Sequence, residues 1–547
     1  LFPSSVPGQA KPDAPPVFKA SSSLVTVNVI VTDRFQQPVT GLTAKDFTVY
    51  EDGKKQTLRA FERHVSAPPA ASGAPPLELP ANQFTNYRER PRTGVINIVL
   101  FDMLNTPWEA QAYARAQLLA FLKTIPPGER VALFTLGTRL RQVRGITDDP
   151  AELAAVARNI RPSLTTETLS TDPPGTEPGA NDGGFSGQDS ASRFAQAIAD
   201  EQGARNDYRV GLTVDAIGAL ARAVAGYPGR KNLIWLSAGF PLSVGPNVEL
   251  PDPMRNVTNY QAQVNRMGIA LASSQMAVYP IDVRGLVTAG FEAASRGAPF
   301  NPSRGSRNLS WLSANHDMMR SIAQTTGGEA FYNTNGVVEA MQKTIRRSES
   351  YYTLAYVPLN RVFNGRFRSI RVKTKDETHS LQYRRGYMAL PERRLEGRVP
   401  LDLLFDAMHP GFPDSTMLLM KAQVLPTDDE HPKVRIDYAI VADQLTFVDI
   451  PGRGRTATVD FAAAAFDAKG DQVAIEMQRV EGTLRPEDMK LGFAAHQEIG
   501  LRPGTYTLKI GAIDIGSQKI GTIELPLVVP VTRHAGTLMT DPERKKK

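Results

Sequence analysis

VINIVLFDMLNTPWEA, residues 95–110, decides how the chain is read. Six apolar strand formers interrupted by one Asn run into Asp102, and four residues later Thr106-Pro107-Trp108-Glu109 has the form of a helix start. Thr as N-cap, Pro at the first helical position and Glu three residues after the Thr make a capping box. A strand that ends in a carboxylate and turns at once into a helix is the working end of an α/β layer, because ligands of open α/β sheets bind at the carboxyl ends of the strands.

Working outward, VALFTL (131–136), NLIWLS (232–237) and AVYPIDV (277–283) are further short apolar runs. They alternate with helical segments: WEAQAYARAQLLAFLKTI, PAELAAVARNI, TVDAIGALARAVAGY, VNRMGIALASSQ and VVEAMQKTIRRS. Strands apolar on both faces and separated by helices predict a doubly wound sheet over 93–347. LRQVRGIT (140–147) fits an antiparallel edge strand and EAFYN (329–333) a last strand. Asp149-Pro150-Ala151-Glu152 repeats the capping device of Thr106. Two insertions interrupt the layer. PPGTEPGANDGGFSGQDS (173–190) is low-complexity and expected to be a mobile loop. GLVTAGFEAASRGAPFNPSRGSRN (285–308) is expected over the carboxyl edge.

The flanks have strand periodicity. SLVTVNVIVTD (23–33) sets Val25, Val27, Val29 and Val31 on one face, and DFTVYEDGKKQTLRAFE adds two strands around a Glu-Asp-Gly turn. These strands are too few to close a sandwich. SYYTLAYVPL, RFRSIRVKTK and HSLQYRRGYMA, from 349 onward, supply the remainder. The expected unit is therefore a small β-sandwich split between 19–66 and 348–390, with the α/β domain inserted in it. Residues 67–92 are Pro/Ala-rich and read as a linker. Residues 397–530 read as a second, immunoglobulin-like sandwich. In it DAKGD (467–471) is read as a β-turn in preference to a Ca²⁺ loop. Residues 1–18 read as an extended Pro-rich arm and 531–547 as a basic tail.

The chain has 547 residues, too many for one core, with 41% hydrophobic and 22% charged residues. Its net charge of +7 is scattered, which argues against a nucleic-acid surface. With no cysteine there is no disulfide, thiolate site or Cys nucleophile. No apolar run approaches the ~20 residues of a transmembrane helix. The Leu1 start and Pro-rich opening are expected of a processed chain, so a secreted, periplasmic or cell-surface location is expected. GxxxxGK[ST], GxSxG, HExxH and a strand-borne GxGxxG are all missing, and the seven His are dispersed.

The stretches VTVNVIVTD…PVTGLTAKDFTVYEDGKKQ, VLFDMLNTP, PGRKNLIWLSAGFP, VYPIDVRGL and SYYTLAYVP…GRFRSIRVK…YRRGY resemble the von Willebrand factor A family. The resemblance is to its bacterial subgroup of VWFA-related Acidobacterial proteins and spans roughly 23–390. It implies a sheet flanked by helices, export, and binding to protein in place of catalysis. It also implies a metal-ion-dependent adhesion site of pattern Asp-x-Ser-x-Ser, a Thr on a second loop and a later Asp, in which oxygens coordinate Mg²⁺ or Mn²⁺. Asp102 and Thr106 keep two of these positions and Thr213 suits the second-loop Thr. Leu104 and Ala238 stand where a Ser and the last Asp belong. The expectation is a degenerate site, weak or empty, with no required cofactor. Asn105, Ser237, Asp282 and Arg284 are the partner-binding candidates, Asp282–Arg284 being read first as a structural pair that anchors the following loop. The function expected is that of a non-enzymatic, protein-binding or scaffolding protein. Three alternatives are weighed beside it: a structural subunit of a surface assembly with self-association, an adhesin with a working cation site, and an enzyme with an unfamiliar site.

Overall fold

A computed structural model describes residues 24–65, 79–87, 94–126, 128–162, 188–247, 250–286, 302–389, 400–410, 412–425, 433–450, 454–484 and 492–530. The expected N-terminal arm and basic tail lie outside them, as does most of the 173–190 segment.

The fold is mixed α/β. At its centre is a five-stranded sheet in the order Met276–Asp282, Lys231–Ser237, Ile96–Asp102, Val131–Leu136, Leu140–Thr147. The first four are parallel and the last pairs antiparallel. Ile96–Asp102 occupies the middle and every residue in it is buried. That is why it carries no polar/apolar alternation: helices cover both faces. One face packs on Trp108–Leu122, Pro150–Ala157 and Val337–Ser348 through Phe101, Leu118, Leu153 and Met341. The other packs on Gln188–Val224, Gln261–Ser273 and Pro302–Thr326 through Leu100, Ile217, Met267 and Met319.

Several expectations are corrected at this level. Residues 329–333 form no strand. Only Phe331 bridges Ile281, with Asp282 N donating to Phe331 O and Phe331 N to Pro280 O. Asn333, at φ +54, ends the extended run. The insertion at 285–308 gives its last residues to the helix Pro302–Thr326, and 188–190 open the 37-residue helix Gln188–Val224.

Residues 24–65 and 350–389 interleave in two facing four-stranded sheets. Val25–Thr32 lies between Ser350–Tyr356 and Ser380–Gln382, and Phe47–Glu51 pairs with Phe367–Thr374. Val27, Val29, Val49, Tyr352, Leu354 and Val372 fill the space between the sheets.

The C-terminal module also consists of two antiparallel sheets around one core, which includes Val434, Ile436, Val459, Phe461, Ile510 and Ile523. It is not built from 397–530 alone. Gln83–Thr85, inside the expected linker, pairs antiparallel with Lys421–Gln423 as an edge strand. Thr85 Oγ1 donates to Met420 O at 2.9 Å, and the Asn86 amide donates to Ser415 O and Leu418 O while accepting from Met420 N. The chain thus visits the second sandwich once before entering the α/β layer. Thr416 ties that module to the end of the long helix, its hydroxyl donating to Ala223 O at 2.7 Å.

Candidate functional site

The carboxyl ends of the parallel strands carry two clusters, one around Asp102 and one around Asp282.

Asp102 is fully buried. Its Oδ1 accepts the backbone N–H of Asn105 at 3.0 Å. Its Oδ2 accepts from Asn105 Nδ2 at 2.8 Å, Trp235 Nε1 at 3.0 Å and Ser237 Oγ at 2.8 Å. Burial pushes the Asp102 carboxyl above the usual range, and the hydrogen bonds from Asn105, Ser237 and Trp235 work against that rise. The turn is held from outside as well. Thr106 Oγ1 donates to Asp102 O, and the Gln111 amide donates to Met103 O and Thr106 O.

The expected capping box does not form. The helix begins at Trp108 with Pro107 at the cap position and no side-chain cap, because the Thr106 hydroxyl is directed back to the strand end. Asp149 does cap: its Oδ1 accepts from Ala151 N at 2.8 Å and Glu152 N at 3.4 Å. Thr213 is not on a loop but inside the long helix, accepting from Asn105 Nδ2 at 2.7 Å and donating to Arg209 O at 2.7 Å. Asn105 and Ser237, expected at a partner surface, are 1% and 0% exposed; Ser237 donates to Asp102, and the Asn105 amide divides its donors between Asp102 and Thr213. The sequence reading missed Trp235 and Arg209. Arg209 precedes Thr213 by four residues, one helical turn on the same face, a spacing that would have found it had the helix been extended far enough.

A divalent cation needs oxygens with free lone pairs. Of the four hydrogen bonds to Asp102, three fall on Oδ2 and one on Oδ1, so Oδ2 has no lone pair to spare and Oδ1 keeps one. The Thr213 hydroxyl donates to one partner and accepts from another, and the Trp235 N–H takes up part of Asp102 Oδ2, whereas the Thr106 hydroxyl, which donates to a carbonyl, and the unpartnered Asn105 Oδ1 keep lone pairs. Leu104 and Ala238 offer no side-chain oxygen. One carboxylate oxygen, one hydroxyl and one amide oxygen are a poor set for a divalent ion, which wants about six oxygens. Among the described residues no group of three or more His, Asp or Glu is placed to hold a metal.

The chain matches no family model. No curated protein matches it either. Among solved structures it is similar to an aerotolerance-related membrane protein from Bacteroides fragilis, at 14% identity over 46% of this chain and 100% of that one, with a TM-score of 0.26. It is also similar to the conserved hypothetical protein BatB from Bacteroides thetaiotaomicron, at 14% identity over 47% and 100%, TM-score 0.27. The vWF domain of the type V pili tip protein Mfa5 from Porphyromonas gingivalis matches at 11% identity over 46% and 94%, TM-score 0.22. Scores this low carry no argument about the fold, which rests on the strand order given above.

Asp282, two strands away, is buried as deeply but surrounded differently. Its Oδ1 accepts from Arg284 N at 2.9 Å and Nε at 3.0 Å; its Oδ2 accepts from Arg284 Nη2 at 2.8 Å and pairs with His316 Nε2 at 2.9 Å. Burial raises the Asp282 pKa, but the Arg284 charge and the hydrogen bonds from His316 and Arg284 outweigh it and hold the carboxyl below its usual range. His316 stacks on Tyr332 with ring centroids 4.4 Å apart, and Arg320 donates to the Tyr332 hydroxyl at 2.9 Å. His316 lies 34 residues from Asp282, and nothing in the sequence linked them.

The edge offers two large apolar side chains to solvent, beside the exposed Thr138 and Arg139. Trp108, at the start of its helix, is 44% exposed, and Leu286, just past Asp282, is 61% exposed. They are tied through Asn335, whose Oδ1 accepts from Leu286 N at 3.1 Å and whose carbonyl accepts from the hydroxyl of Tyr113, on the Trp108 helix, at 3.0 Å. Among the described residues no helix is long and apolar enough to cross a membrane.

Proposed function

We propose that this is a non-enzymatic, exported protein that binds or scaffolds other proteins through a von Willebrand A-like domain, an Acidobacterial-type member of that family, with the two β modules as supports. The second module is read as immunoglobulin-like. The observation that carries the reading is the state of the carboxyl edge. Both carboxylates there are engaged by the protein's own donors, and among the described residues neither stands beside a nucleophile that it could activate. Among the described residues Trp108, Leu286 and the partly exposed Arg284 face solvent there, an aromatic and Arg-containing set of the kind that anchors protein interfaces. The test is a pull-down from the native host with the full chain and with Trp108→Glu/Leu286→Asp, read by mass spectrometry. A protein captured by the first and lost by the second supports the reading; equal capture by both puts the interface elsewhere.

One observation favours a second reading, that of an assembly subunit. The 13-residue strand Gln472–Leu484 pairs with Gly454–Phe466 on one side, and among the described residues no strand pairs with its other edge. Its Val473 and Met477 are exposed. Such an edge can template pairing with another strand. Concentration-dependent growth in light scattering, abolished by Val473→Lys/Met477→Lys, would favour polymers over capture of a foreign partner.

A further inference from the structure

In the second β module, far from the carboxyl edge, the strand Gly504–Asp514 carries Lys509 with no exposure at all. Lysine is almost never buried so completely unless it is paired. Its Nζ donates to Phe412 O at 2.6 Å and to Glu524 Oε2 at 3.2 Å, and it lies 3.9 Å from Asp414 Oδ1. Glu524 stands directly opposite Lys509 on the neighbouring strand Ile520–Val529. Asp414 comes from the segment ahead of Met420–Leu425, and the residue after it is pinned to that same neighbouring strand. Ser415 N donates to Thr522 Oγ1 at 2.8 Å, and Ser415 Oγ donates to Ile520 O at 2.8 Å. One amine and two carboxyl groups are thus gathered by backbone that the sheet holds in place, and the amine has no water to turn into.

We propose that the folded protein joins Lys509 to Asp414 by an amide bond, an internal cross-link. The step starts from an ammonium and a carboxylate and needs no co-reactant. The ammonium passes a proton to Glu524, and the freed nitrogen attacks Asp414 Cγ, forming the N–C bond. Glu524 returns that proton to one Asp414 oxygen, a second proton follows from the same nitrogen, and the C–O bond breaks to release water. The two opposite charges cancel, and Glu524 ends as it began. In water this condensation is opposed by the loss of two hydrated charges. Here the ammonium has no hydration to lose, and a buried ion pair is costly to keep. The distances divide the roles. Glu524 is hydrogen-bonded to the amine and so placed for proton transfer. Asp414 Oδ1 lies beyond hydrogen-bond distance, so the nitrogen is not committed to an oxygen lone pair there and is free to approach the carbon. Both carboxyl side chains keep some exposure, 25% for Asp414 and 34% for Glu524, which gives the released water a way out. The bond would restrict the unfolded chain as a disulfide does, in a protein that has no cysteine. It does not depend on the reading of the carboxyl edge.

The experiment is intact-mass spectrometry of the denatured full chain, followed by peptide mapping. The wild type is expected to be one water lighter than its sequence, with a branched peptide in which Lys509 is joined to Asp414. Asp414→Ala and Lys509→Arg, the second of which keeps the charge, are expected at their full sequence masses. Glu524→Gln keeps the size but carries no proton, and it should slow the loss of water by about a hundredfold. A wild type at its full sequence mass overturns the proposal. So does a loss of water that maps to other residues, that joins Lys509 to Glu524, or that persists in Lys509→Arg. The deciding measurement is made on the wild type, so the proposal stays falsifiable even where a variant fails to fold.

Discussion

Asp102 and Asp282 end two parallel strands of one sheet, on the same edge, and both are buried. They are opposite in electrostatics. Asp282 is gripped by a guanidinium in fork geometry and by a histidine, so its charge is met at contact distance. Asp102 is gripped by an amide, an indole, a hydroxyl and a backbone N–H, all neutral. The same position in a fold therefore decides where a carboxylate sits but not how it is neutralised. The neighbours that decide it come from other elements: Trp235 and Ser237 from the adjacent strand, Arg284 from the loop that follows, His316 from a helix. The sequence reading expected a weak or empty cation site at Asp102 and an Asp282–Arg284 pair that anchors a loop; it could not name the donors that other elements bring to either carboxylate.

The comparison breaks first at the level of stability. Asp102→Ala strands four donors in a dry interior and should cost on the order of 4 kcal/mol. Asp282→Ala should cost less, about 2–3 kcal/mol, because the Arg284 side chain keeps 16% of its surface in solvent and can turn outward. Chemical denaturation of the two variants would check the order, and a larger loss at Asp282 would invert the picture. His316→Phe keeps the ring against Tyr332 but removes one partner of Asp282, and about 1 kcal/mol should go with it.

Acid sharpens the contrast because the two shifts have opposite sign. Asp282 is depressed on folding, so its contribution is fully present above the unfolded carboxyl value, about 3.9, and is lost as pH falls through the lower folded value. Asp102 is raised, so the native state holds its proton more tightly than the unfolded chain does. Its effect on stability becomes unfavourable as pH rises from about 3.9 toward its folded value. Relative to wild type, Asp282→Asn should lose its disadvantage on acidification, whereas Asp102→Asn should show a growing one. Parallel pH profiles for the two variants would contradict the assignment.

How much of this could be read beforehand follows from the range of the interactions. Strands and helices of the central layer were legible because their period is local, and so was the Asp149 cap, which acts over three residues. Gln83–Thr85 was not legible, because three residues among prolines show no period and pair with a strand more than 300 positions away. Arg209 was hidden for a related reason: a charge in a helix reads as a solvated face unless the burial of that face is known. Thr213 was given the loop position because the resemblance calls for a second-loop Thr there and the helical segment was read as starting at Thr213, whereas the helix begins at Gln188. Asn105 and Ser237 were found as residues of the site, yet their burial, and with it their role as donors to Asp102, depended on how neighbouring strands and helices close over the turn.

The finest test concerns two helix starts with nearly the same sequence, Thr106-Pro107-Trp108-Glu109 and Asp149-Pro150-Ala151-Glu152. Each reads as a cap followed by Pro and, three residues on, Glu. At the second start Asp149 receives the N–H groups of Ala151 and Glu152, so Asp149→Ala should cost about 1 kcal/mol. At the first, Thr106 Oγ1 donates to Asp102 O, which leaves the helix without a side-chain cap and Glu109 exposed. Glu109→Ala should therefore change stability by no more than about 0.5 kcal/mol, the range of an ordinary surface change with the helix-dipole contribution included. Thr106→Val should still cost about 1 kcal/mol, because a buried hydrogen bond to the strand end is lost while the side-chain volume is kept. The pattern of the three variants identifies the device. A capping box at Thr106 would make Glu109→Ala and Thr106→Val lose stability together. A hydroxyl committed to Asp102 makes the threonine matter and the glutamate not, and thermal unfolding of Glu109→Ala beside Asp149→Ala separates the two cases.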